Sequence, residues 1–317
     1  MPRLWDGQPQ MRKATPQPTR AQRAMLRLKQ GLSLEDKEAL SLERIGEWYE
    51  GQGGKVYVAF SGGKDSTVLL HMVRRLYPDM KGIFVDTGLE YPEIKAFVKA
   101  TENVEIIRPE KTFLQVIREY GYPIISKDIA AKIFSIRHTK SEKFKYNLLH
   151  GEGAQKLPER YKYLIDSDIP ISRMCCYHLK KRPSFRYQKE SGCVPFVGTM
   201  ASDSQMREKN YMITGCNNWS GQHPLSMPLG FWLEKDIWAY IEKYRVPYSK
   251  IYDMGYRRTG CIFCMFGIMA EGYPNRFQLL QKSHPQLHKY AMEKLGLEHV
   301  CELLGIKPYD ELFIKND

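Results

Sequence analysis

Val56-Tyr-Val-Ala-Phe-Ser-Gly-Gly-Lys-Asp-Ser-Thr-Val-Leu-Leu-His-Met-Val-Arg-Arg-Leu76 is the stretch that decides how this chain folds. Its first five residues are apolar and run into two glycines. Beyond them apolar residues recur at helical spacing through Leu76. The segment predicts a strand, a tight loop and a helix. The loop, Ser61-Gly-Gly-Lys-Asp-Ser66, falls where open parallel sheets bind their ligands. Gly62 and Gly63 let backbone approach a phosphate closely, and the helix start offers free N–H groups and a positive dipole end. Lys64 and the hydroxyls of Ser61, Ser66 and Thr67 add a cation and donors for an anion. Asp65 stands where a Walker loop requires Ser or Thr, so this is not that loop. Asp65 is free to orient Lys64 or a metal ion.

Outward from this unit, Gly82 to Asp86, Val104 to Ile107 and Val194 to Gly198 are further strand candidates. Helical stretches lie between them, one entering at Tyr91-Pro92. Strands alternating with helices predict an α/β fold with a parallel sheet covered on both faces. From about residue 216 the chain turns aromatic-rich and mostly helical, as in Leu233 to Tyr244. The expected organisation is a basic N-terminal arm with helices over 1–47, a nucleotide-binding α/β domain over 48–215 and a small helical subdomain over 216–317.

The chain has 317 residues, 48 Lys and Arg against 36 Asp and Glu, and seven cysteines. Its 43% apolar residues suffice for a full core, which excludes disorder over most of the length. No stretch reaches the roughly 18 consecutive apolar residues of a membrane helix, and the start lacks an apolar signal region. A cytosolic protein without a membrane partner is expected; an oligomer is compatible with the sequence. The net charge of +12 is uneven: residues 1–32 carry seven basic side chains (Arg3, Arg12, Lys13, Arg20, Arg23, Arg27, Lys29) against Asp6, giving +6. Arg20 to Gln30 reads as a short basic helix. A second stretch, Arg137-His-Thr-Lys-Ser-Glu-Lys-Phe-Lys-Tyr146, interleaves aromatic rings with cations. Each stretch is either a solvated face or a nucleic-acid surface.

Cys175-Cys176 is followed, after 84 intervening residues, by Cys261-Ile-Phe-Cys264. Two such pairs supply four soft ligands, and their spacing admits either tetrahedral zinc or a [4Fe–4S] cluster. Cys193, Cys216 and Cys301 have no partner at metal spacing and are expected to be buried as small apolar residues. No disulfide scaffold is expected from an odd count in a chain of this length.

SGGKDS after an apolar strand resembles the pyrophosphate loop (PP-loop) of the ATP pyrophosphatases. Phe84-Val-Asp-Thr-Gly-Leu-Glu-Tyr-Pro-Glu93 resembles the second-strand segment of the adenylyl-sulfate and phosphoadenylyl-sulfate reductases in that superfamily. The similarity runs over roughly residues 50–270, through Tyr120 to Lys127 and Trp238. It implies an adenine-nucleotide alpha-hydrolase-like fold, a nucleotide held at Ser61, Gly62, Gly63, Lys64, Asp65 and Ser66, and Asp86 and Thr87 at the nucleotide end. Asp86 also reads as a strand-end cap. By the same resemblance Lys127 and Ser204 lie near the nucleotide, and the adjacent cysteine pair implies a [4Fe–4S] cluster on Cys175, Cys176, Cys261 and Cys264. Lys180 is the cation expected beside the cluster, and Arg207 is retained from the family's distal arginine segment. Two family arginines are replaced, by Leu179 and by Met200. The Glu-Cys-Gly-Leu-His-type tail with the reductases' catalytic cysteine is not found in Gly305 to Asp317, and Cys301 lies on an apolar helical pattern that suits packing.

The expected function is that of an ATP-dependent adenylating iron–sulfur enzyme in sulfur transfer, with Lys64, Asp65, Lys180 and Arg207 as catalytic groups. ATP, with Mg²⁺ neutralising phosphate charge, would activate an acceptor oxygen. A persulfide from a cysteine desulfurase or another sulfur donor would displace AMP. The basic stretches suit a DNA or tRNA acceptor, and the architecture is similar to reductase-like enzymes of DNA phosphorothioation. The alternatives are an adenylyl-sulfate or phosphoadenylyl-sulfate reductase, and a non-enzymatic nucleotide- and DNA-binding regulator.

Overall fold

The computed structural model describes residues 17–220 and 223–310. The first part of the expected basic arm, through residue 16, lies outside the described residues. Among the described residues there are eight strands: β1 (Val56–Ala59), β2 (Gly82–Val85), β3 (Val104–Ile107), β4 (Ile124–Ile125), β5 (Val194–Val197), β6 (Asn217–Asn218), β7 (Leu225–Ser226) and β8 (Met265–Phe266). The four strands expected from the apolar runs are β1, β2, β3 and β5. The chain forms two compact units, one built from residues up to 82 with 193–247, the other from 83–192 with those from 248 on.

In the first unit β1 pairs in parallel with β5, from Val56 opposite Val194 to Ala59 opposite Val197. β5 pairs in parallel with β7 at Phe196 and Ser226, and β6 closes this edge antiparallel to β7. The helix Lys64–Leu76 follows β1, and Val68, Leu69, Met72 and Val73 along it are fully buried. Trp48, Phe60, Phe196, Trp232 and Tyr240 are the largest apolar groups of this core. The expected basic helix forms over Arg20–Gln30, started by a Thr19/Gln22 capping box.

Charges buried in this unit are paired. Lys37, fully sealed from solvent, puts its ammonium 2.6 Å from Asp236 and donates a second bond to the Gln30 carbonyl. The Glu38 carboxylate accepts from Tyr244 at 2.6 Å, Lys243 at 2.9 Å and Arg75 at 3.1 Å. Burial opposes its ionisation, but these donors outweigh burial and hold the carboxyl below its ordinary range. The network ties together the helices Leu34–Gly51, Lys64–Leu76 and Glu234–Tyr244.

In the second unit β3 lies beside β2, and Asp86 N–H just beyond β2 donates to the Ile107 carbonyl at 2.9 Å. β4 and β8, only two residues each, pair in parallel with Ile124 opposite Met265 and Ile125 opposite Phe266. Ile125 takes φ +59°, a left-handed conformation that a β-branched residue adopts only under constraint. The register and a 2.8 Å bond from Gly267 N–H to its carbonyl supply that constraint. Ser126 then caps the helix Lys127–His138.

Arg137 does not belong to an open basic surface. Its guanidinium donates to the carbonyls of Leu164, Ile165, Ser167 and Ile169 and to the Ser167 hydroxyl, at 2.5 to 3.0 Å. A planar five-donor fork suits this turn of carbonyls, where a lysine could not reach them all.

Glu38→Gln should lower stability by roughly 1–3 kcal/mol, because two cations and a phenol lose a charged acceptor. Since the folded carboxyl is depressed, its contribution is fully present above the ordinary value of 4.5 and is lost as pH falls through the folded value. Urea unfolding of both proteins should therefore give a difference that is constant near neutrality and shrinks below about pH 4.5.

Candidate functional site

The loop after β1 is shaped by an absence of side chains. Gly62 has φ +71°, and Gly63 caps the helix with no side-chain acceptor on its first amides. Ser66 Oγ donates to the Gly63 carbonyl at 2.9 Å, lies 3.0 Å from Ser61 Oγ and accepts from Ser61 N–H at 3.1 Å. Thr67 Oγ1 donates to the same carbonyl at 3.0 Å. A Cβ on Gly198, just past β5, would stand 3.0 Å from the Asp65 carbonyl oxygen and the Ser66 nitrogen. The end of β5 thus braces the helix's first turn through bare backbone.

Lys64 is 4% exposed, with its ammonium 3.2 Å from Glu234 and 3.8 Å from Asp65. Asp65 Oδ1 is sealed from solvent and accepts no hydrogen bond. Burial raises the Asp65 carboxyl above its ordinary range; Lys64 pulls it back, while Asp203 and Glu234 push it further. Ser204 caps the helix Gln205–Thr214 by accepting from Arg207 N–H, and Arg207 pairs with Asp203. Met200 is buried. The loop therefore collects helix-start amides with no side-chain cap, a buried cation, two facing hydroxyls and a sealed carboxylate oxygen that accepts no hydrogen bond. That set fits a polyphosphate with a divalent cation on Asp65. Glu234 and Gly198 were not singled out from the sequence: a glutamate starting a helix and a glycine ending a strand carry no local sign of this contact.

In the second unit Asp86 forms ion pairs with Lys95 at 2.9 Å and Arg108 at 3.5 Å and accepts from Gly88 N–H at 3.2 Å. Burial opposes its charge, yet these partners hold it below the carboxylate range. It caps the strand end. Thr87 is buried; its hydroxyl donates to Glu90 at 2.5 Å, and the Thr87 and Leu89 amides also donate to the Glu90 carboxylate. Glu90 is a residue that the sequence reading missed, although its position three after Thr87 is the spacing of a capping carboxylate.

The four cysteines of the two pairs line one small cavity of about 20 Å³, together with Leu89, Phe113, Pro123, Leu179 and Lys180. β4 and β8 lead into it, and Ile262 N–H donates to the Leu89 carbonyl at 2.9 Å. Cys175 Sγ lies 3.9 Å from Cys176 Sγ and keeps the proton of the pair. That donated bond lowers the Cys176 thiol; burial opposes the shift, and Lys127, Lys180 and Lys181 add to it. Burial raises Cys261 and pushes Cys264 up to about 11, each being lowest in energy as a neutral thiol when no metal is bound. The Lys180 ammonium is held charged first by Cys261 and, further down, by Glu90 and Cys176. Arg276 donates to the Cys264 carbonyl at 2.7 Å.

Among the described residues, no group of three or more His, Cys, Asp or Glu side chains is already disposed around a metal position. The donor set nonetheless fits a thiolate-ligated metal: four soft ligands share one cavity and cations flank them. Cys301 is fully buried in the helix Leu297–Leu304, and burial pushes its thiol up to about 12. Cys216 is buried against the Tyr211 hydroxyl, whereas Cys193 is only half-buried.

A mostly parallel α/β chain with a glycine-rich anion loop between its first strand and helix defines a PP-loop nucleotide-binding protein. The chain belongs to the phosphoadenosine phosphosulfate reductase domain family, which matches residues 55–266. An uncharacterized protein of Methanocaldococcus jannaschii is 26% identical over 88% of this chain and 58% of its own length. The chain thus spans little more than half of that archaeal relative. An adenosine 5'-phosphosulfate reductase of Bacillus cereus is 25% identical over 77% of this chain and 87% of its own. Among solved structures, a phosphate complex of phosphoadenylyl-sulfate reductase from Candida auris is 20% identical over 73% of this chain and 96% of its own, with a TM-score of 0.42.

Gly198→Ala should displace the first turn of Lys64–Leu76 while leaving the core intact. ATP titration by calorimetry is expected to give roughly tenfold weaker binding, about 1.4 kcal/mol, with little change in melting temperature. Unaltered affinity would mean that the loop tolerates the shift and does not contact the nucleotide through this turn.

Proposed function

We propose that this chain is an ATP-dependent adenylating enzyme of sulfur transfer acting on a nucleic acid. The observation that carries the reading is the Ser61–Ser66 loop with its buried Lys64 and the sealed Asp65 oxygen that accepts no hydrogen bond. The uncapped helix-start amides and Lys64 bind the β- and γ-phosphates, and Asp65 would hold a Mg²⁺ that neutralises them. An acceptor oxygen attacks the α-phosphorus; the bond to the bridging oxygen breaks, and pyrophosphate leaves with the electron pair. Lys64 stabilises charge that develops on the leaving group. A sulfur nucleophile of the persulfide class then forms a bond to the activated acceptor centre and AMP departs. A second thiol of the donor attacks the carrier sulfur, the S–S bond breaks with its electron pair on the transferred sulfur, and the donor is left as a disulfide. Ser204 and Arg207 orient the nucleotide from the neighbouring helix start. DNA phosphorothioation and tRNA thiolation are the two reactions of this type that the basic surface suits.

Cys175, Cys176, Cys261 and Cys264 would hold a [4Fe–4S] cluster, a group that supplies electron transfer or sulfur handling when bound. Lys180 sits against Cys261 and favours the charged, thiolate form of the set. Zinc on the same four thiols is the alternative occupant.

A second reading, reduction of adenylyl sulfate, is favoured by the similarity to the Bacillus cereus reductase. It requires a mobile nucleophilic thiol, and Cys301, with no exposure and a raised pKa, is not one.

Anaerobically purified protein should release pyrophosphate and AMP from ATP when given a nucleic acid and a persulfide donor. Lys64→Ala should reduce that rate by about 10²- to 10³-fold, in line with loss of one charged transition-state donor. Sulfite release from adenylyl sulfate with thioredoxin, and no pyrophosphate from ATP, would establish the reductase reading instead. Cys261→Ser should abolish the iron–sulfur absorbance and bound iron; stoichiometric zinc without iron in the parent protein would identify zinc as the occupant.

A further inference from the structure

The helix Glu142–His150 turns an unusual face to solvent. Glu142, Lys145, Tyr146, Leu149 and His150 recur at i, i+3, i+4, i+7 and i+8, the spacing of a stripe that normally packs against a core. Here that stripe, with Lys143, borders an open groove of about 410 Å³. The helix secures itself on its other side, where Leu148 is buried and its carbonyl accepts from Leu157 N–H at 2.7 Å. Tyr146 is 64% exposed, and its ring lies 4.8 Å from that of His150, tilted by 36°. The two rings form a ledge that no apolar side chain covers.

Cations outnumber acids around this ledge, although Glu159 lies within electrostatic reach of His150. Lys140, Lys143 and Lys145 form no ion pair among the described residues, and Glu142 is the single acid lining the groove. Arg137, the other strong cation of the stretch, is committed to backbone carbonyls and contributes nothing here. An aromatic ledge flanked by unpaired lysines has the two components that unpaired nucleotides require: a flat surface for a base and cations for the phosphates on either side. A protein partner would need an acidic surface and an apolar plug, but only Leu149 offers it an aliphatic contact. Duplex DNA presents phosphates but no free base faces, so it would leave the rings unused.

We propose that the Tyr146–His150 ledge stacks an unpaired base of a single-stranded nucleic-acid segment while Lys143 and Lys145 hold its phosphates. This rests on the nucleic-acid acceptor in the reading above, and it makes the recognised form single-stranded. The test is fluorescence anisotropy of the full chain with labelled oligothymidylate, with the matching duplex and heparin as competitors. Tyr146→Ala should weaken oligothymidylate binding about tenfold, Tyr146→Phe should restore it, and neither should alter binding of ATP. Lys143→Gln with Lys145→Gln should lower the slope of log affinity against log salt by about 1.4. Binding of oligothymidylate that is unchanged in Tyr146→Ala, or displaced equally well by duplex and heparin, overturns the ledge and leaves adenylation intact. No binding of any nucleic acid overturns both the ledge and the nucleic-acid acceptor, while pyrophosphate release with a small acceptor would still report on the ATP site.

Discussion

Bare backbone in contact with bare backbone is the constraint on which the nucleotide loop depends. β5 ends at Gly198, and there a methyl group would already press on the Asp65 carbonyl and the Ser66 amide. Because β1 and β5 pair in parallel and in register, that approach is set by the sheet rather than by the loop. The helix start in turn has no side-chain cap: Gly63 offers none, and Ser66 and Thr67 direct their hydroxyl protons to the Gly63 carbonyl. Lys64 sits in this setting nearly sealed from water, beside one exposed and one buried carboxylate, so an incoming polyphosphate meets a cation that is already desolvated.

The second unit solves a different problem, that of bringing thiols separated by 84 intervening residues to one place. It does so with a ladder of two residues per strand, for which Ile125 accepts a left-handed backbone. A conformation of this kind costs about 1–3 kcal/mol and persists only where surrounding packing over-determines it. Ile124 and Met265, both fully buried in the ladder, supply part of that packing. Lys180 then brings a positive charge to a cavity otherwise walled by Leu89, Phe113, Pro123 and Leu179. A set of four thiols in such walls favours protons over charge, and a cation at one side shifts the balance toward thiolate.

Legibility in the sequence followed the range of the interaction. β1, β2, β3, β5 and the helix after β1 were readable because apolar periodicity and glycine placement are local signals, and the loop residues came with them. β4, β6, β7 and β8 were not, since two residues show no periodicity. Among site residues, the four cysteines were visible by spacing, but Glu90, Glu234 and Gly198 act through contacts made only after the chain has folded. Arg137 shows the converse failure. Its neighbours are lysines and aromatics, which made it resemble part of a binding face, while its guanidinium is taken by a turn of carbonyls some 30 residues away. Composition cannot distinguish a cation that faces solvent from one that holds a loop.

The two positions where family arginines are replaced bear on which anion the proposed site would hold. Leu179 and Met200 are 1% and 3% exposed. An arginine in either place would be a buried guanidinium, tolerable only with an anion opposite it, because an unpaired buried charge costs several kcal/mol. An apolar residue removes that requirement and with it one reason for an anion to sit there. The cations that remain are differently placed: Lys64 lies at the helix start, Lys180 lines the cysteine cavity beside Leu179, and Arg207 is exposed and already paired with Asp203. Positive charge therefore persists in the loop after β1 and, through Lys180, beside the cysteines, while the two replaced positions are themselves apolar. For a site that must hold adenylyl sulfate this is a loss of affinity; for one that binds ATP and releases pyrophosphate it removes two groups with nothing to bind.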